Sequence, residues 1–294
     1  MSRATGPGAA TDRRGAIVGP RTVVTRESDV ETVFTIRIAG VDFHARQRGD
    51  QPRAVFLHGF GSDLHTWDGV WSELAGAVPA LRYDLRGFGQ SANRDDAPFN
   101  HADDLLAILD ATNLGQCDLV GVSMGASIAL NFALDHPERV RNLVLISPGL
   151  VGWEWSEGWQ RLWRPIVAAA RAGAIDEARR LWWQHPLFAT TRSSAGGQAL
   201  YESIMRYSGA QWIRDNHRLM LPDVERLCLL GARTLLLTGG RDLEDFRLIA
   251  DLVAASAREV QRIDQPGSGH LLHLEDAAGC ARQLLAFLRA APAP

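Results

Sequence analysis

Two hydrophobic periods take turns along this chain. From Thr32, Val33, Thr35 and Arg37 alternate with Phe34, Ile36 and Ile38, and after Gly40 the alternation resumes over 41–46, which predicts a hairpin of two strands. Ala54–Leu57 is apolar throughout, the pattern of a strand buried on both faces. Helical spacing follows over 66–77 (Trp67, Val70, Trp71, Leu74), then a strand over 80–83. Leu105, Leu106, Ile108 and Leu109 set a helix over 101–112, with Asp103 and Asp104 near its positive end. Cys117–Val122 predicts a strand, and the helix after it is stopped at about Asp135 by His136-Pro137. A strand over 140–146 closes at Ser147-Pro148-Gly149. After Pro222 the rhythm returns, with strands at 233–238 and 259–263 and helices from Leu243 to about Ala255 and from Glu275 to about Arg289. This alternation implies an α/β protein: a mostly parallel sheet with helices on both faces.

Between about 150 and 222 the strand signal stops. Seven of the nine tryptophans fall there, in segments of helical spacing such as Trp159, Leu162, Trp163, Ile166, Val167 and Ala170, with Pro165 expected to break or kink the helix. The reading is a helical cap (150–222) inserted into a core formed by 29–149 and 223–294. The cap aromatics serve either as its own core or as the wall of a pocket. Residues 1–28 mix Gly, Pro, Ala, Thr and Arg without apolar period and are expected to form a disordered or loosely attached tail.

Composition narrows the partners. With 294 residues, 46% of them hydrophobic, the chain is long enough for one large α/β domain carrying an insertion. A net charge of -3 gives no basic field for nucleic acid or an anionic membrane, so a small molecule is the expected partner. Cys117, Cys228 and Cys280 share no metal-ligand spacing and read as inert thiols of a reducing compartment. No run has the roughly 18 apolar residues of a membrane helix, and the apolar segment after Arg13-Arg14 is too short for an export signal, so a soluble cytoplasmic protein is expected.

The candidate chemistry centres on Gly121-Val122-Ser123-Met124-Gly125, a G-x-S-x-G sequence between a predicted strand and a predicted helix. A strand-to-helix turn of this kind lifts the serine clear of the sheet, and glycines two positions either side let helix and strand approach. A serine hydroxyl needs a base and an orienting carboxylate to become a nucleophile. His270, in the glycine-flanked loop Pro266–His270, is the expected base, with His273 the local rival. Asp242, in the loop after the strand at 233–238, is the expected acid, with Asp245 as the alternative on the next helix. The backbone N–H groups of Met124 and of Phe60, in His58-Gly59-Phe60-Gly61, are expected to form the oxyanion hole. His58 is expected to buttress that loop rather than act as a base. No metal or cofactor is expected, since the histidines show no ligand spacing.

Taken in order, His58–Gly61, Asp84-Leu-Arg-Gly-Phe-Gly-Gln-Ser91, Gly121–Gly125, His136-Pro-Glu-Arg-Val140, Gly239-Gly-Arg-Asp242 and Gly267-Ser-Gly-His270 resemble the landmarks of α/β-hydrolase-fold serine hydrolases from about Val33 to Leu288. Within that family the chain is similar to 3-oxoadipate enol-lactonase-like esterases and lactonases, which carry a helical cap at the corresponding place. The resemblance implies a Ser123–Asp242–His270 triad and hydrolysis of an ester or lactone of a small apolar or aromatic substrate through an acyl-enzyme. The alternatives are a carbon-carbon bond hydrolase acting on a ring-cleavage diketone and a non-catalytic small-molecule receptor on the same fold. Carbon-carbon hydrolases of the family commonly carry a tryptophan soon after the histidine, where this chain has Leu271-Leu272-His273. Arg161, Arg164, Arg179 and Arg180 read either as solvated helix faces or as a clamp for a substrate carboxylate.

Overall fold

A computed structural model describes residues 16–19, 21–26, 29–91, 97–218 and 221–290. Ten strands among them form one sheet: β1 (Ile17–Val18), β2 (Thr22–Arg26), β3 (Asp29–Ile38), β4 (Val41–Arg48), β5 (Ala54–Leu57), β6 (Ala80–Tyr83), β7 (Cys117–Val122), β8 (Val140–Ile146), β9 (Arg233–Gly239) and β10 (Val260–Gln265). Their order is β1-β3-β4-β6-β5-β7-β8-β9-β10, with β2 also paired to β3. From β6 through β10 every pairing is parallel, and β1 to β4 add an antiparallel flank. Every residue of β5, β6 and β7 is buried, as the unbroken apolar run of β5 requires. In β3 the alternation holds, with Phe34, Ile36 and Ile38 buried and Arg37 exposed.

Helices α1 (Asp68–Glu73), α2 (His101–Ala111) and α3 (Met124–Asp135) connect the first parallel strands. Between β8 and β9 the chain runs through α4 (Glu157–Arg171), α5 (Ile175–Gln184), α6 (Ala189–Arg192), α7 (Gly197–Arg206) and α8 (Ala210–Ile213), all helical where the cap was expected. Helices α9 (Glu244–Ser256), α10 (Leu272–Glu275) and α11 (Ala277–Arg289) complete the core. No described helix is long and apolar enough to cross a membrane.

Three expectations differ from the structure. The span expected as a loose tail contributes β1 and β2, which take up the hydrogen-bonding edge that β3 would otherwise leave open; residues 1–15, with Arg13-Arg14, lie outside the described ones. Pro165 does not end α4: the ring sits on the exposed face, and burial of Ile166 and Ala170 in the next turn holds the helix together. The last helix begins at Ala277, two residues later than expected and after the separate turn α10, because Asp276 leaves the helical conformation and caps α11 through its bond to the Gly279 N–H at 2.8 Å.

The sheet's loops divide by edge. At its amino edge Asp118 of β7 is fully buried and accepts from Arg53, Arg141 and Asn142 at 2.7–2.9 Å, a structural knot. Arg82 of β6 is likewise buried, held by Glu31 and Asp68 and lying 4.4 Å over the Trp71 ring. At the carboxyl edge the loops after β5, β6, β7, β9 and β10 converge, the position at which open α/β sheets bind ligands. There the α3 helix crosses β5 and β7 so closely that a Cβ on Gly125 would run into the carbonyls of Leu57 and His58, and one on Gly121 into the Gly125 backbone.

Gly125→Ala is therefore expected to destabilise the fold by at least about 2 kcal/mol, read as a lower urea midpoint, since backbone on both sides must shift. A second outcome concerns buried imidazoles. His273 is buried, shares a 2.7 Å hydrogen bond with Thr66 and is depressed by burial to about 3 from the ordinary 6.5. Because the unfolded chain binds that proton more readily, the stability is full above pH 6.5 and declines as the pH falls toward 3. Urea midpoints at pH 7, 6 and 5 should fall with acid, and less steeply in His273→Asn, by up to about 1.4 kcal/mol per pH unit.

Candidate active site

Ser123 sits between β7 and α3 at φ 54°, ψ -117°, a conformation that a residue with a Cβ rarely adopts. Sheet and helix hold it there: its N–H donates to Ile146 at 2.9 Å and its carbonyl accepts from Ser127 at 3.0 Å. The loop after β5 lies against it, and a Cβ on Gly59 would stand 3.4 Å from the Ser123 Cβ. Met124 opens α3, so its N–H has no carbonyl one turn back to bind. Neither that N–H nor the Phe60 N–H is used in a backbone bond among the described residues, and both residues line the cavity that Ser123 lines.

His270, after β10, is 1% exposed and its Nδ1 stands 2.8 Å from Asp242 Oδ2. The other carboxylate oxygen of Asp242 accepts from the Leu243 N–H at 2.7 Å, which fixes the plane of the acid. With Nδ1 donating to Asp242, Nε2 is left as the acceptor; it has no protein partner among the described residues, and His270 lines the same cavity as Ser123. Phe246 covers the imidazole at 4.2 Å between centroids. Gly239 admits this geometry, because a Cβ there would run into the Gly269 carbonyl and push the acid and histidine loops apart.

The rivals are engaged elsewhere. His273 faces Thr66 and packs on Trp67 at 4.8 Å. Asp245 accepts from the Trp153 indole N–H at 3.0 Å and from the Ser156 N–H and hydroxyl, tying the start of the cap to α9. His58 is fully buried and held neutral by burial; its Nε2 accepts from the Leu85 N–H at 3.0 Å, so its Nδ1 donates to the Gly59 carbonyl and it braces the loop as expected. Burial also pushes the Cys117 and Cys280 thiols up to about 12, so neither forms a thiolate at neutral pH.

The cavity over Ser123 measures about 1320 Å³ and is lined by loops of the carboxyl edge and by α4, α5 and α7. Trp153, Trp155, Trp159, Trp163 and Trp182 line it, whereas Trp212 is buried within the cap and Trp183 stacks edge-on against Tyr201. None of Arg161, Arg164, Arg179 and Arg180 reaches it: Arg179 and Arg180 pair with Asp176 and Glu177, and Arg164 bonds Gln160. Sequence reasoning missed Phe246, the Asp245 tie and Asn131, which lines the cavity while donating to buried Asp223 at 2.8 Å. Ser123, Ser127 and Asn131 recur every fourth residue along α3, a polar stripe in an apolar helix that could have revealed one side of the cavity.

Residues 52–171 match the family model described as alpha/beta hydrolase fold. Over 131 residues, 42% of this chain, the sequence is 36% identical to 2-hydroxymuconate semialdehyde hydrolase of Pseudomonas sp. (strain CF600), and that match spans 46% of the relative's length. It is 30% identical over 246 residues to 2-succinyl-6-hydroxy-2,4-cyclohexadiene-1-carboxylate synthase of Escherichia coli O1:K1 / APEC, a match that spans 81% of this chain and 94% of the synthase. The enol-lactonase from Burkholderia xenovorans LB400 superposes with a TM-score of 0.72 at 18% identity, over 86% of this chain and 98% of that one. With the sheet order, the crossing at Gly125 and a relative matched over nearly its full length, the chain belongs to the α/β-hydrolase-fold family.

Proposed function

We propose that the protein hydrolyses a carboxylic ester or lactone of a small, apolar or aromatic molecule through an acyl-enzyme on Ser123. One observation carries this reading: the imidazole of His270 is bound to Asp242 through Nδ1 and has an unpartnered Nε2 in the cavity that holds a strained serine. Nε2 takes the Ser123 proton as Oγ attacks the carbonyl carbon. The negative oxygen of the tetrahedral intermediate is stabilised by the N–H groups of Phe60 and Met124, the latter reinforced by the positive end of α3. Collapse expels the alcohol, which takes the proton from His270; a water activated by the same imidazole then attacks the acyl group and releases the acid. Asp242 keeps the tautomer correct and stabilises the imidazolium while it exists.

The 36% identity to 2-hydroxymuconate semialdehyde hydrolase favours a second reading, in which the same residues cleave a carbon-carbon bond of a ring-cleavage diketone. The two separate on substrate: p-nitrophenyl esters and lactones turned over faster than a ring-cleavage diketone support the first. A small-molecule receptor on this fold would carry an unreactive serine, so fluorophosphonate labelling mapped to Ser123 by mass spectrometry decides between enzyme and receptor.

Ser123→Ala is expected to lower kcat by a factor on the order of 10⁶ and to abolish labelling. Full turnover by that variant would overturn the mechanism. Asp242→Asn should leave KM nearly unchanged and cost roughly 10⁴ in kcat, because the amide holds the imidazole in the wrong tautomer.

A further inference from the structure

Helix α4 and the turn before it set Trp155, Trp159 and Trp163 four residues apart, on one face. Their rings form a ladder: Trp155 and Trp159 stack at 4.7 Å and 26°, Trp159 and Trp163 at 6.0 Å and 15°. Phe246 lies beside the first two rungs, 5.3 Å from Trp155 and 5.6 Å from Trp159, and the last rung is met by Phe60 at 5.3 Å and Trp182 at 5.6 Å. The ladder thus runs from the phenyl ring that covers His270 to the side chain of a proposed oxyanion-hole residue. All three tryptophans line the cavity, and Trp159, with a stacked ring on either side, has its indole edge left for a ligand. Edges carry the positive part of the aromatic quadrupole and pair best with the face of another ring. A saturated group of the same shape gains only the apolar contact.

The charges of the cavity select in a second way. Among the described residues five carboxylates line it, Asp63, Asp68, Asp84, Asp215 and Glu202, against the single guanidinium of Arg206. That guanidinium is already committed, 3.2 Å from Asp63 and 4.0 Å from Glu202. Of the other imidazoles beside His270, His65 is engaged by Asp68 at 3.0 Å, and His101 and His217, 4.5 Å apart in the wall, are disfavoured as cations by burial. A carboxylate brought into this room loses its hydration without gaining a cation.

We infer that the cavity takes an uncharged aromatic group with its face on the edge of Trp159, and that it rejects the same group bearing a carboxylate. This specificity rests on the hydrolase reading for its use, but it is a property of binding and is tested without turnover.

Isothermal titration calorimetry of the full chain with three bicyclic probes of similar size makes the test: 2-naphthol, decahydro-2-naphthol and 6-hydroxy-2-naphthoate. At neutral pH 2-naphthol should bind about tenfold more tightly than either of the others. In Trp159→Leu its advantage over decahydro-2-naphthol should shrink to about threefold or less. Trp159→Met gives the same readout should the first variant fail to fold. Equal binding of the aromatic and saturated probes, tighter binding of the naphthoate, retention of the preference in the leucine variant, or no binding of 2-naphthol each overturns the inference. Fluorophosphonate labelling of Ser123 is scored separately, so a labelled protein with the wrong selectivity loses this inference and keeps the acyl-enzyme, and the reverse result does the opposite.

Discussion

The crossing of α3 over β5 and β7 is the constraint on which the other arrangements depend. Gly121 and Gly125 permit a backbone approach that no side chain allows, and that approach forces Ser123 into a positive φ. A lone residue in this region costs about 1–3 kcal/mol and persists only where its surroundings over-determine it. Here the surroundings are the most buried strands of the protein, β5 and β7, with Ile146 of β8 holding the Ser123 N–H. The strain at the serine is therefore carried by the whole parallel half of the sheet.

Around that point the two ends of the sheet do different work. At the amino edge buried Asp118 accepts from three donors and fixes strands to one another. At the carboxyl edge polar groups are left with unfilled bonding capacity, His270 Nε2 foremost, in a space walled by aromatic rings. One sheet thus provides a rigid foundation and a reactive rim without mixing the two, as strand direction alone dictates.

Much of this was legible in the chain because backbone rules govern it. A continuous apolar run marked β5, the turn glycines marked the elbow, and chain order anticipated the meeting of Asp242 with His270. The parts that escaped depend on contacts between side chains distant in sequence. Asp245 could be read only as an alternative acid, since its partners Trp153 and Ser156 lie some ninety residues away. The four cap arginines offered a clamp on paper, and for Arg179 and Arg180 the acidic partners one turn away explain the same pattern equally well. Strands β1 and β2 were hidden in a composition typical of loose chain, and only the open edge of β3 accounts for them.

The cap joins the core through two chain segments, between β8 and α4 and between α8 and β9, while the elbow beneath it is made of backbone and glycine. Reactivity and selectivity are in consequence mutationally separable in this molecule. Substitution of ring-bearing positions on α4 and α5 can recut the room above the serine while the strained turn stays as it is. Drift in ligand preference is therefore open to this chain by single steps, whereas loss of Gly125 would close every such path at once.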